Sequence, residues 1–163
     1  MPAGALNVLF LSDRNAAHSI IAEAVLRVEG NGRFRPHSAG LDPAAAIDSD
    51  VANFLAARVV PVAGLRPKSL AELEAAHPAA FDYVITLSDA AARFAGGHAW
   101  NGHPVVAHWA LDSDGRETEE GSGWAIRDAF WTLSRRIRIF TSLPHRKSTR
   151  RSLENRLYGL QAE

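Results

Sequence analysis

The 163-residue chain contains no cysteine. That absence excludes disulfides, thiolate nucleophiles, cysteine-based metal sites and dithiol redox cycles. It also lacks charge of one sign, because 18 Lys and Arg balance 18 Asp and Glu. Global charge therefore argues for neither nucleic acid nor membrane as a partner. Long hydrophobic runs are missing too. The apolar segment Leu6 to Leu11 is too short for a span and lacks the flanks of a signal peptide. The expectation is a soluble cytoplasmic protein. Hydrophobic residues make up 47% of the chain, so it can build a globular core.

What is present is an alternation of short apolar runs and amphipathic segments. Leu6 to Leu11 reads as a strand buried on both faces. Ala17, Ile21, Ala24, Val25 and Val28 make one helical stripe, stopped by Gly30-Asn31-Gly32. Phe34 to Ala39 reads as a second strand, which suggests a βαβ unit. Asp50 to Ala57 reads as a helix, and Val59, Val60 and Val62 as a short extended piece around Pro61. Ser69 with Glu72 forms a capping-box pattern ahead of a helix at Leu70. Phe81 to Leu87 predicts a third strand, Ala90 to Phe94 a short helix ended by Gly96-Gly97, and Val105-Val106 a fourth strand. Asp112 to Gly123 reads as loop. Ile126, Phe130, Leu133, Ile137 and Phe140 then trace a long amphipathic helix. The pattern predicts an α/β domain with a mainly parallel sheet, over residues 1–144. Residues 145–163 form a basic tail. There Leu153, Leu157 and Leu160 fall on one helical face, either packing on the domain or docking a partner.

The segment Val8 to Ser19 carries most of the chemical information. It runs from strand through tight loop to helix start, the architecture that aims backbone N–H groups at an anion. The loop residues are Ser12, Asp13, Arg14, Asn15, Ala16, Ala17, His18 and Ser19. In open α/β sheets ligands bind outside the carboxyl ends of strands, and this loop lies at one.

The segment also resembles the active-site loop of the low-molecular-weight protein tyrosine phosphatases and of the arsenate reductases sharing their fold. Ser38-Ala39-Gly40, Gly64 to Leu70, Phe81 to Asp89 and His108-Trp109 extend the resemblance in order and spacing. The arsenate-reductase branch looks nearest. The resemblance implies a flavodoxin-like three-layer sandwich with a four-stranded parallel sheet. It also implies a nucleophilic Cys where Ser12 stands and an oxyanion-gripping Arg where His18 stands; Ser19 alone fits the pattern. A serine hydroxyl is a weak nucleophile without a base, and imidazole cannot make the guanidinium fork. Asp13 adds a like charge, which at ~6 Å costs an anion on the order of 2–3 kcal/mol. Arg14 occupies a position where the family usually has Gly. The family acid falls, counting from Trp109, at Ser113, with Asp112 and Asp114 flanking it. Ser88 stands where a reductase has a resolving Cys, which closes reductase chemistry.

The expected function is that of a catalytically inactive, pseudophosphatase-like protein acting by binding a partner or an anion. Two alternatives stay open: weak hydrolysis using Ser12 with His18 and Asp13 or Asp112, and a phosphate or oxyanion module. The expected partners are a phosphate- or sulfate-like anion, a phosphoprotein, or a second copy in a homodimer. No cofactor is expected. His98, His103 and His108 repeat by five, a spacing that fits neither helix nor strand, so no metal site is expected. Trp124 reads as packing beneath the long helix. Trp131 falls off the apolar stripe and is the candidate contact residue.

Overall fold

A computed structural model describes residues 4–77, 79–111 and 123–145. Four parallel strands form one sheet: β1 (Leu6–Ser12), β2 (Phe34–Gly40), β3 (Tyr83–Thr86) and β4 (Val105–His108), in the order β2-β1-β3-β4. The helices between and after them are α1 (His18–Glu29), α2 (Ser49–Ala57), α3 (Leu70–Ala76), α4 (Asp89–Gly97) and α5 (Gly123–Ser142). Val8 and Phe10 face a core with α1, α2 and α5. Leu9 and Leu11 face a second core with α3 and α4. The period-2 alternation of a central strand thus feeds two hydrophobic layers, which makes the three-layer sandwich. Chain order reverses about β1, so its carboxyl end is the topological switch point, and Ser12 lies there.

Ser69 caps α3 as the sequence suggests, and two further caps come from Asp48 and Ser88. Asp48 accepts from Asp50 N at the start of α2, Ser69 from Glu72 N at α3, and Ser88 from Ala91 N at α4. α1 differs: its N-cap is Ala17, and no side chain caps it.

Several expectations change. Val28 is 52% exposed, so the buried face of α1 runs through Ile21, Val25 and Leu26 and does not include it. Val59 is in the left-handed region (φ 60) and 89% exposed, so residues 59–62 are turn and loop rather than an extended piece. The carboxylate of Glu72 pairs with Arg66 instead of closing the capping box. α4 begins at Asp89 and ends at Gly97, so the two glycines expected to end it form its last residues. The Asp112 to Gly123 loop and the Leu153, Leu157 and Leu160 face fall outside the described residues, except Gly123, which begins α5. His145, the first tail residue, is docked. Its Nδ1 lies 2.7 Å from the Tyr83 hydroxyl and its Nε2 2.8 Å from Phe140 O, with Phe34, Tyr83 and Phe140 rings around it. Burial pushes its imidazole pKa down.

Candidate functional site

The loop from Ser12 to Ala17 is closed by its own polar groups. Ser12 Oγ accepts from Asn15 N (3.2 Å) and lies 2.7 Å from Ser19 Oγ. The Asn15 amide donates to Ser19 Oγ (2.8 Å) and its carbonyl accepts from Lys68 N (3.0 Å). Asn15 is the loop's left-handed residue (φ 50), a conformation Asn tolerates better than most. Arg14 is not among the positive-φ residues and so needs no glycine-like backbone. Its guanidinium turns outward to Asp42 (3.0 Å). Ser12, Asn15 and Ser19 are fully buried, and His18 is buried with them.

The next layer holds the loop down. Leu41, Asp42 and Ala44 donate backbone N–H groups to the carbonyls of Ser12, Asp13 and Arg14. A Cβ on Gly40 would sit 2.9 Å from Arg14 C and Asn15 N, so only glycine lets strand β2 end beneath the loop. Lys68 reaches across with its ammonium, donating to Ser38 O (3.0 Å) and Arg66 O (2.8 Å). Burial lowers the pKa of that ammonium, and the nearby Glu23 carboxylate opposes the shift. Glu23 itself is buried on α1, accepts from Ser38 Oγ (2.5 Å) and pairs with Arg27 (3.1 Å). Lys68, Glu23 and Ser38 as a brace were not legible as site residues. Ser38 and Lys68 lay within the segments Ser38-Ala39-Gly40 and Gly64 to Leu70, but nothing local to those segments joined them to Glu23.

The carboxylate of Asp13 does not point at an anion alone: its Oδ1 accepts from Ser88 Oγ (2.6 Å), which also caps α4. So Ser88, the stand-in for a resolving cysteine, ties the loop to the neighbouring helix. Asp112, Ser113 and Asp114 lie outside the described residues. The histidines expected not to converge are engaged separately: His98 with Glu74 (3.2 Å), and His108 with Thr86 Oγ1 (2.9 Å) and Asp89 (3.4 Å). Among the described residues no group of three His, Asp or Glu side chains could hold a metal, and no helix is long and apolar enough to cross a membrane. Trp109 is fully buried against Phe10 and Phe140, whereas Trp131 is 46% exposed with the Arg58 guanidinium over its ring. The side chain of Trp124 is outside the described residues.

A strand–loop–helix with buried hydroxyls at the switch point of a four-stranded parallel sheet places the chain among the α/β sandwich proteins. Residues 7–106 match the low molecular weight phosphotyrosine protein phosphatase family, and the chain belongs to that family. No curated protein matches it. Among solved structures it is similar to the thioredoxin-dependent arsenate reductase of Corynebacterium glutamicum, at 26% identity and TM-score 0.62. That match covers 86% of this chain, which spans 62% of the reductase's length. It is also similar in fold to the low molecular weight protein tyrosine phosphatase of T. tengcongensis (17% identity, TM-score 0.68, 85% of this chain and 99% of that one). A third similar fold is the YwlE arginine phosphatase in a cysteine-to-serine form with a phosphorylated active-site serine (14%, TM-score 0.63, 83% and 93%). With no cysteine in the sequence, this member of the family has no thiolate to use.

Proposed function

We propose that this chain is a catalytically inactive relative of the phosphatases, acting by binding a protein partner or an anion instead of transferring phosphoryl groups. One observation carries the reading. The Ser12 hydroxyl is fully buried, and its hydrogen-bond partners among the described residues are Asn15 N and Ser19 Oγ. Neither is a base. A serine needs a base to shed its proton, whereas a thiolate in such a loop is already ionised by the surrounding amides. His18 replaces the guanidinium fork that would grip two oxygens of the substrate. Asp13 places a carboxylate in the same loop.

The anion-binding form of this reading is favoured by a second observation. α1 alone among α1 to α4 has no side-chain cap, whereas Asp48, Ser69 and Ser88 cap the other three, and a helix start without one favours an anion. A cytoplasmic location and a phosphoprotein or second copy as partner belong to the same proposal. Fractionation and a pull-down with and without residues 146–163 check them.

The deciding experiment is a p-nitrophenyl phosphate assay on the wild type and Ser12→Ala, alongside thermal unfolding with phosphate, sulfate and arsenate. The expected outcome is no turnover above the Ser12→Ala background. Saturable stabilisation approaching about 2.7 kcal/mol at ~100 times Kd would identify the anion module. Turnover abolished by Ser12→Ala would overturn the inactive reading. Because the YwlE serine form carries a phosphoryl group, intact-mass measurement after incubation adds a readout. A phosphoryl adduct on Ser12 would show that the hydroxyl can attack.

A further inference from the structure

β2 is an edge strand, and the register places its Arg35 beside Asn7 and its His37 beside Leu9. Leu9 belongs to the core shared with α3, so strand alternation puts Arg35 and His37 on that same face. α3 delivers His77 at its C-terminal end, with ring centroid 5.1 Å from that of His37. Phe81 meets the His37 ring edge-on at 5.7 Å. Two cavities of ≈ 310 and ≈ 420 Å³ adjoin here, both bounded by His37, Ala76 and His77. Lys68 lines the first and Arg35 the second.

The charges around this cleft are unbalanced. The neighbouring acids already have partners: Glu23 holds Ser38 and Arg27, Glu72 holds Arg66, and Asp82 accepts from Asn7 N (2.8 Å). Arg35 Nε is buried and has no hydrogen-bond partner among the described residues. A buried donor without an acceptor is costly and uncommon in folded proteins. His37 records the same imbalance. Desolvation first, then the positive fields of His77, Lys68 and Arg35, lower its pKa from 6.5 to about 4.

We propose that this cleft on the β2 edge binds a compact oxyanion, held by Arg35 and His77 with Lys68 supplying long-range attraction. A guanidinium matches an oxyanion geometrically as well as electrostatically, and clefts lined with one sign of charge concentrate counter-ions. The site is separate from the Ser12 loop. Arg35 is five residues before Gly40 on an extended strand, about 17 Å away at ~3.3 Å per residue. It does not depend on the reading of that loop.

The test is NMR titration of the full chain with inorganic phosphate, and with sodium chloride at matched ionic strength. The expected result is saturable movement of the His37 and His77 ring signals and of Arg35 Nε–H, with the His37 titration midpoint raised above about 4. Arg35→Gln should weaken binding at least tenfold, and Arg35→Lys, which keeps the charge and loses the fork, should fall between. His77→Gln, at a helix end, is the second variant should Arg35→Gln not fold, and the same tenfold loss is expected. Ring signals that respond equally to chloride would overturn the proposal. So would saturation confined to the amides of residues 13–19, or wild-type affinity in the folded variants.

Discussion

The Ser12 loop and the β2-edge cleft are neighbours built on opposite principles. The interior of the loop closes on uncharged groups, two hydroxyls, one carboxamide and a series of backbone bonds, and its charged side chains Asp13 and Arg14 turn to Ser88 and Asp42. The cleft is lined by titratable side chains around open volume, and its balance depends on charge. The difference separates what preserves a scaffold from what performs chemistry. The loop keeps its shape through Asn15, Ser19, Gly40 and Lys68, none of which needs a thiol or a guanidinium at positions 12 and 18. The loop is therefore expected to be mechanically robust to pH, and the cleft sensitive to it.

The sharpest way to break the comparison is at Gly40, where the loop rests on β2. Gly40→Ala drives a methyl into backbone atoms that cannot rotate away, and should cost about 3 kcal/mol in denaturant unfolding. A cost under 1 kcal/mol would mean the loop is loose rather than clamped. Next comes Asn15→Ala, which removes bonds to Ser19 and Lys68 and leaves alanine with positive φ. About 2 kcal/mol should be lost, and Asn15→Gly should recover part of it by relieving the backbone alone. Equal losses for the two would place all the cost in the side-chain bonds.

The cleft should show itself in the pH dependence. His37 binds its proton less tightly folded (about 4) than unfolded (about 6.5), so the unfolded chain holds more protons between those values. Its contribution is thus fully present above pH 6.5 and is lost as pH falls towards 4. Full coupling of that shift is about 3.4 kcal/mol, and partial exposure to solvent reduces it to about 1–2 kcal/mol. His145, whose pKa is also lowered by burial, contributes in the same direction. Urea melts across this range should flatten in His37→Gln and keep their slope in Asn15→Gly. A slope unchanged by His37→Gln would remove the cleft's claim to be governed by charge. The smallest effect is Ser88→Ala, which loses the α4 cap and the bond to Asp13. About 1 kcal/mol is expected, read as a lower unfolding midpoint at unchanged m-value.

Much of the architecture was legible because its signals are local. Alternation and stripe patterns predicted every strand of the sheet, and Ser69 marked the start of α3. The loop was legible from its position between an apolar run and a helical stripe. Val59 was not, because a β-branched residue with positive φ contradicts its own propensity and is set by the turn after α2. Val28 was not either: periodicity places it on a helical face, and only the packing of distant elements decides whether that face is covered there. At the site, the residue identities at 12 and 18 were plain. The brace of Asn15, Lys68, Ser38 and Glu23 was not, since its members are separated by up to 53 positions in the chain.

By itself the sequence determined that no sulfur chemistry is available, that the fold alternates strand and helix, and that a hydroxyl and an imidazole occupy positions 12 and 18. Those are matters of composition and short-range order. Tertiary structure alone decided that the hydroxyl is sealed beside Ser19, that Asp13 is held by Ser88, and that Arg35, His37 and His77 meet on one edge. Such facts depend on which distant segments share a volume. There burial and the fields of neighbouring charges set what each group can do.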